Sequence, residues 1–466
     1  MTTSQIPATN AEDKLDFKKL LPIFLVVLID LLGLTIIIPL LPLYAASFNA
    51  NAATIGWLGA SYPIMQFIGA PVLGRLSDRF GRKPILLISQ CGTLIGFLLL
   101  GFAGSLPILF LARIVDGLSG ANISTAQAVI TDSTNEKTRT QALGLLGAAF
   151  GLGFIIGPVI AAVSLGLSGN NYHVPAFVAA VFSALSIILT MTRLEETHKP
   201  GTDTVTKAQS AFSIQGVFHI ISSPTIALLL ALMFFQQIAF GGFEQLLSLF
   251  TLTRLGLNAA GNALIFVYVG IVVVMVQGYF IGKWSRRFGD RKLIFLGLAM
   301  LLIGLGLMAF TPKQTAPWYT KAEMQVELSH GQIRPGETPP VQSTGIDLPV
   351  DTNSGWTGII WILIAMIPTA IGGGILQPSI NSLLTKQVPK AEIGGTLGLS
   401  AAFLSGSNAI APLLGGWLFQ TFGNGAPFIV WAVIMGILLI FALVMIKPVN
   451  GTSATIGGVS TPAPVH

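Results

Sequence analysis

Charge is what this sequence has least of. Only 9% of its 466 residues are Asp, Glu, Lys or Arg, against 52% hydrophobic, and its mean hydropathy is +0.76. A soluble domain carries roughly 25% charged residues, so an ordinary water-facing surface is excluded. The single cysteine, Cys91, rules out an intrachain disulfide and reads as an inert packing residue in an apolar run. The five histidines, His173, His198, His219, His330 and His466, are scattered without metal-ligand spacing, so neither a metal nor a cofactor is expected. No nucleophile–base pair stands out either, which argues against an enzyme. The triplet Gly372-Gly373-Gly374 follows no strand and reads as close helix packing rather than a phosphate cradle.

Long apolar runs are abundant instead. Stretches able to cross a bilayer, roughly 20 residues each, begin near positions 20, 54, 84, 106, 140, 173, 224, 260, 292, 357, 393 and 426. These predict an all-α integral membrane protein with twelve transmembrane helices. The first run follows a polar arm without a small-residue cleavage site and is read as a retained span. With the N-terminus inside, 20 of the 25 Lys and Arg residues fall on the cytoplasmic side, Arg254, Lys313, Lys321 and Arg334 fall outside, and Arg113 lies within a span. Both termini are then cytoplasmic. The positive charge, spread over loops, suits anionic lipid headgroups and not nucleic acid.

An internal repeat organises the spans. Gly74 to Lys83 reads GRLSDRFGRK, and 208 positions later Gly282 to Lys292 reads GKWSRRFGDRK. Gly144, Gly153, Gly157 and Pro158 in the fifth span correspond to Gly398, Ser407, Ala411 and Pro412 in the eleventh at an offset of 254. The change in offset implies a polar insertion on the outer face at about 312–356, expected to be a tolerated loop, with a lid or partner site as the alternatives. The expected organisation is a six-helix bundle over 1–195, a cytoplasmic linker over 196–222, a second six-helix bundle over 223–450 and a flexible tail over 451–466.

The loop GRLSDRFGRK has a physical task at a membrane surface. Gly74 and Gly81 permit close approach and a tight turn, and Asp78 has Arg79, Arg82 and Arg139 within reach as partners. Its sequence resembles the signature loop of the major facilitator superfamily. That resemblance implies the two-bundle major facilitator fold, and for Asp78, Arg79 and Arg82 a latch that holds the halves together in the outward-open state. In the second copy Arg286 replaces the acid and Asp290 stands where Arg82 would, so a latch there needs other partners.

Gly144, Gly153, Gly157 and Pro158 suit close helix contact and bending, and they resemble the motif of the superfamily's antiporter branches. Arg113 and Gly117 in RIVDGLSGANIS resemble its fourth-span motif, whose arginine is linked with proton coupling. Asp30, Gly33, Pro39 and Pro42 in the first span, and Tyr62, Met65, Gln66 and Pro71 in the second, resemble tetracycline efflux proteins. The intramembrane His and Asp of those exporters would fall near Val274 and Leu301, which argues against tetracycline itself as substrate. The resemblance implies proton-coupled export of a small amphipathic molecule by a monomer. A sugar or metabolite exporter or facilitator of the same fold is the alternative reading, and a non-transporting receptor a weaker one.

Charges inside the membrane carry the sharpest evidence, because each costs about 2.5–3.5 kcal/mol at a span centre. Asp30, Glu244, Arg113 and Asp116 are the proton-coupling candidates. They also admit a plainer reading as internal ion pairs, Arg113 with Asp30 or Asp116. Asp30 and Glu244 lie in the first span of each half and are expected to face one another across a midplane cavity. Gln66, Asn122, Gln127, Gln237, Phe240, Gln377 and Asn381 are candidates for lining it. The outer loops lack a glycosylation sequon, which leans towards a bacterial inner membrane.

Overall fold

The computed structural model describes residues 17–120, 122–134, 136–197, 223–329, 345–388 and 393–446. The expected tail, most of the linker and the middle of the insertion lie outside them. Every element that the described residues form is helical, apart from one isolated β-bridge between Thr315 and Ser354.

The first bundle contains α1 (Phe17–Ile37), the short α2 (Leu41–Ala46), α3 (Ala52–Phe80), α4 (Arg82–Gly101), α5 (Leu106–Ser119), α6 (Asn122–Asp132), α7 (Glu136–Ser168) and α8 (His173–Arg193). The second contains α9 (Pro224–Leu255), α10 (Ala259–Met275), α11 (Ile281–Phe288), α12 (Asp290–Ala309), α13 (Lys321–Leu328), α14 (Thr357–Thr385), α15 (Ile393–Phe422) and α16 (Ala426–Met445). A π-helical turn, Val276–Phe280, joins α10 to α11.

Among the described residues, ten helical stretches are long and apolar enough to cross a membrane. The other two expected spans differ for physical reasons. α3 has the length, at 29 residues, but its apolar content is diluted by Gly, Ser, Tyr, Pro and Gln. The fourth expected span is two helices, α5 and α6, with the first ending at Gly120. A helix end inside a membrane frees carbonyls that water cannot satisfy, and neighbouring helices take over. Here the Ser89 hydroxyl donates to the Ser119 carbonyl, and Gln66 Nε2 donates to the Gly120 carbonyl at 2.8 Å.

The repeat is visible in the backbone. Asn51 caps α3 by accepting from Thr54 N at 2.9 Å, and Asn258 caps α10 by accepting from Gly261 N at 3.0 Å. The turn from α3 to α4 passes through Gly81 at φ +101°, and its counterpart from α11 to α12 through Gly289 at φ +77°, a region open to glycine alone at little cost. Gly74 has open space around its Cα. The close approach expected there does not occur.

The bundles meet in two pseudo-equivalent contacts, α3 with α15 and α7 with α10. Both depend on small residues that let backbones approach. A Cβ on Gly416 would lie 2.6 Å from the Ala52 carbonyl, and one on Gly270 2.6 Å from the Phe154 carbonyl. Further ties cluster at the same end of the molecule, the end that carries the insertion. Ala52 N donates to Gln420 Oε1 at 3.1 Å, and Ser248 Oγ donates to the Pro39 carbonyl at 2.8 Å.

The described residues of the insertion, up to 329 and from 345, are packed against the bundles and not a free loop. Its ends are pinned together, Thr315 N donating to Asn353 O at 3.0 Å and Gly355 N to Thr315 O at 2.9 Å. Tyr319 covers the left-handed Gly256 at the end of α9. Met324, Leu328, Ile346 and Leu348 join the largest buried apolar cluster, which runs through both bundles. From α13, Glu327 reaches the first bundle and accepts hydrogen bonds from Asn170 Nδ2 at 3.1 Å and Tyr172 Oη at 3.0 Å. Burial pushes the Glu327 carboxyl above its ordinary value, and hydrogen bonds from Tyr172, Asn258 and Asn170 pull it part of the way back. Cys91 is exposed on the outside of its bundle and fills no core position.

Closure at the insertion end depends on the glycine contacts, so overpacking them is expected to open it at a cost of about 1–3 kcal/mol. In a Cys91→Ser background with spin labels at Leu167 and Phe422, Gly416→Val is expected to lengthen the interlabel distance and lower the melting midpoint. An unchanged distance distribution would contradict this account of closure.

Candidate functional site

Three of the four membrane charges come together in the first bundle. Arg113 and Asp116 lie one turn apart on α5, and Arg113 Nη1 sits 3.1 Å from Asp116 Oδ2, with side chains 6% and 3% exposed. The guanidinium also stacks over the Tyr62 ring, 4.5 Å from its centroid, so α3 supplies an aromatic wall to the pair. Asp116 and Asp30 line one cavity of about 30 Å³ with Tyr62, Thr93 and Gly120. That is room for about one or two water molecules, enough to carry a proton but not an organic solute. Thr93 hydrogen-bonds Asp116 from α4.

Glycine lets these helices approach closely enough to enclose the pair. A Cβ on Gly96 would lie 2.7 Å from Asp116 Cβ, and one on Gly117 2.5 Å from the Tyr62 carbonyl. Against the opposite side of α1, Thr35 Oγ1 donates to the Gly153 carbonyl at 2.9 Å, and Gly157 leaves only enough room for that hydroxyl. Gly153 and Gly157 thus seat α7 on α1, the helix that carries Asp30, and Pro158 follows them within α7. Gly144 lies on α7, but its surroundings fall outside the described side chains.

Glu244 is not brought into this cavity, whose lining comes from the first bundle alone. It is half-buried on α9 and makes no hydrogen bond or ion pair among the described residues. Elsewhere on α9, and on α14 and α15, the second bundle carries polar and aromatic side chains. Gln237 Nε2 donates to Asn408 Oδ1 at 2.8 Å between α9 and α15. Phe240 packs against Phe243 at 5.7 Å and over Gly373 of α14. Asn381 accepts from Ser400 Oγ at 3.1 Å, and Gln377 is half-buried on the same helix. Gln66 is occupied with the Gly120 carbonyl. Gln127 is exposed, and the side chain of Asn122 is outside the described set. Leu301 packs into the α12–α14 contact beside Gly372, and Val274 into the contact of α10 with α7 beside Gly151.

At the basic-loop end the latch residues separate into two groups. Arg82 pairs with Asp78 at 2.5 Å and with Asp132 at 3.0 Å, all within the first bundle. Gly81 makes the turn, and its bare Cα admits Glu196, whose carboxylate accepts from the backbone N of Arg82 at 2.9 Å and of Lys83 at 3.1 Å. Arg79 lies outside this group and stacks on Phe80. Asp132 and Glu196 went unrecognised in the sequence because they are far from the motif. Their signal was a lone acid at the end of a span and another at the start of the linker.

Removing one member of the buried pair strands the other. Arg113→Leu is expected to cost about 3–5 kcal/mol of stability, and Arg113→Leu/Asp116→Leu to recover most of it. Melting midpoints of the purified variants check this, and a double variant no more stable than the single would contradict the pairing.

Comparison with known proteins places this geometry. The chain matches the Major Facilitator Superfamily over residues 23–321 and 352–464, a match interrupted within the insertion. It is 26% identical over 432 residues to a tetracycline resistance protein, class H, of Pasteurella multocida, covering 91% of this chain and 96% of that protein. It is 32% identical over 299 residues to the class E protein of Escherichia coli, covering 63% and 72%. Multidrug resistance protein 1 of Bacillus subtilis (strain 168) is 26% identical over 393 residues, covering 84% and 87%. Among solved structures, a POT family transporter in complex with a thioalcohol-conjugated peptide aligns with a TM-score of 0.67 at 15% identity, over 92% of this chain and 96% of that one. The nucleoside transporter NupG aligns at 0.63 and 14%, over 92% and 99%. Two helical bundles, their repeated basic loops and a match along most of its length make this chain a member of the Major Facilitator Superfamily, a multi-pass membrane transporter.

Proposed function

We propose that the chain exports a small amphipathic organic molecule, drug-like or tetracycline-like, in exchange for protons. The observation that carries this reading is the buried Arg113–Asp116 pair, whose Asp116 shares a water-sized, mostly apolar cavity with Asp30. Two carboxylates and one guanidinium in an apolar bundle make a group whose net charge changes when one proton binds, and that change is large in energy where the dielectric is low. The relatives named for tetracycline and multidrug resistance support the substrate class. Gln237, Phe240, Gln377 and Asn381, apolar walls with a few amides, suit an amphipathic solute and not a small ion.

In this reading the work is divided between the bundles. Protons are taken up at Asp30 and Asp116, with Arg113 setting their charge balance, while substrate contacts the second bundle, where Glu244 responds to it. Positive-inside topology puts the basic loops in the cytoplasm of a bacterial cell, and the structure is then an inward-facing state sealed at the outside. On reorientation the pair of Asp78 with Arg82 is freed to engage the second bundle, Arg79 meets anionic lipid, and the cytoplasmic end closes. The transporter works as a monomer.

Everted vesicles given ethidium or tetracycline probes in the external medium, with and without an imposed pH gradient, test the coupling. Asp30→Asn, Asp116→Asn and Glu244→Gln are each expected to abolish gradient-driven transport while leaving passive exchange. Full gradient-driven transport by all three would sink the proton-coupled reading. Transport by the unaltered protein that ignores the gradient would favour a facilitator.

A further inference from the structure

At the basic-loop end the two bundles repeat one side-chain arrangement with its charges exchanged. In the first bundle Arg82, at the start of α4, is a hub. Its Nη1 donates to Ser77 Oγ at 2.7 Å and to Asp78 at 2.5 Å, and its Nε donates to Asp132, at the end of α6, at 3.0 Å. In the second bundle the hub is Asp290, at the start of α12 and 6% exposed. It accepts from Ser285 Oγ at 2.5 Å, from Ser382 Oγ at 2.6 Å and from Lys386 Nζ, at the end of α14, at 2.5 Å.

The members correspond through the repeat. Ser77 and Arg82 lie 208 positions before Ser285 and Asp290, the offset of the loop motif. Asp132 lies 254 positions before Lys386, the offset that holds beyond the insertion. The serine is kept, the cation at the hub has become an anion, and the anion at the partner has become a cation. A neighbouring contact keeps its sign. Lys83 Nζ donates to the Met191 carbonyl at 3.0 Å at the end of α8, and its counterpart Arg291 Nε donates to the Ile446 carbonyl at 2.6 Å after α16.

A buried charge needs an opposite charge, so a sign change at the hub is tolerated only with a sign change at its partner. Arg286, which occupies the place of Asp78, is exposed, and Ser382 makes the contact that Asp78 makes in the first bundle. In a state sealed at the insertion end, the other end gains no support from the opposite bundle through the Arg82 and Lys386 ion pairs, which stay within their own bundles. Rigid rocking then requires each bundle to hold its own helix ends.

We propose that Asp290 is a positioning residue of the transport cycle, fixing the ends of α11, α12 and α14 as one rigid unit through Ser285, Ser382 and Lys386, as the charge-inverted counterpart of Arg82. It rests on the reading of alternating access. It acts through helix geometry and not on the substrate, so its loss slows turnover and leaves KM alone.

The test uses the full chain in proteoliposomes with ethidium efflux, and melting midpoints of the same preparations. Asp290→Arg and Lys386→Asp are each expected to lower turnover about ten-fold or more at unchanged KM, and Asp290→Arg/Lys386→Asp to return it to within about three-fold. Asp290→Asn and Lys386→Met, which add no repulsion, give the same decision if a reversed variant fails to fold. Turnover equal to the unaltered protein in Asp290→Asn, or a folded double variant no better than its singles, would overturn the proposal. If the unaltered protein moves no ethidium, the transport reading has failed for this probe. The melting midpoints then decide the ion-pair exchange, rescue in the double variant supporting it and no rescue overturning it.

Discussion

A guanidinium buried 3.1 Å from a carboxylate, in a chain with so few charges, is the constraint on which the first bundle is built. The guanidinium of Arg113 is buried, so its charge must be met inside the protein. Asp116 meets it one turn along the same helix, Tyr62 covers it with a ring face, and Thr93 holds the carboxylate from α4. The contacts of Tyr62 and Thr93 each require a neighbouring helix at short range, and Gly96 and Gly117 provide that range. The end of α5 at Gly120 follows in the same helix line, with Gln66 satisfying the carbonyl it releases. Packing, polarity and the cavity beside Asp30 therefore share one cause.

The second bundle answers different demands with the same architecture. It repeats the positive-φ glycine between α11 and α12, the asparagine cap of α10 and the small-residue contact with the opposite bundle. It lacks the buried arginine pair and carries instead a half-buried acid, an amide pair and the inserted segment. That segment spans the seam between the bundles, with Tyr319 seated on α9 and Glu327 bonded to Asn170 and Tyr172 of the first bundle. The two halves are equivalent as scaffolds and unequal as chemistry.

Much of this was legible in the sequence because it is carried by long-period signals. Apolar runs and the spacing of the repeat placed the helices, and Lys and Arg placed the loops. The pairing of Arg113 with Asp116 was readable from their separation of three residues, which puts them on one helix face. What escaped depends on long-range contact. The end of α5 shows in the sequence only as a Ser-Gly pair, and its tolerance depends on Ser89 and Gln66 from other helices. Cys91 sits in an apolar run whichever way it points, and burial there is decided by helix rotation. The insertion looked like a loop because its composition is polar, while its six described core residues, Ala316, Tyr319, Met324, Leu328, Ile346 and Leu348, are dispersed over 33 positions. Glu244 was singled out by its cost in a membrane, and no local pattern could place it outside the Asp30 cavity.

In the proposed cycle, substrate binding to the second bundle is coupled to release of the protons taken up at Asp30 and Asp116. Adding an amphipathic dye that the purified protein binds, in weakly buffered detergent solution, measures this directly with a pH indicator. Proton release on binding that disappears in Asp30→Asn and Asp116→Asn is the predicted result. Binding of the dye without proton release by the unaltered protein, at any pH between 6 and 8 or so, would contradict the account.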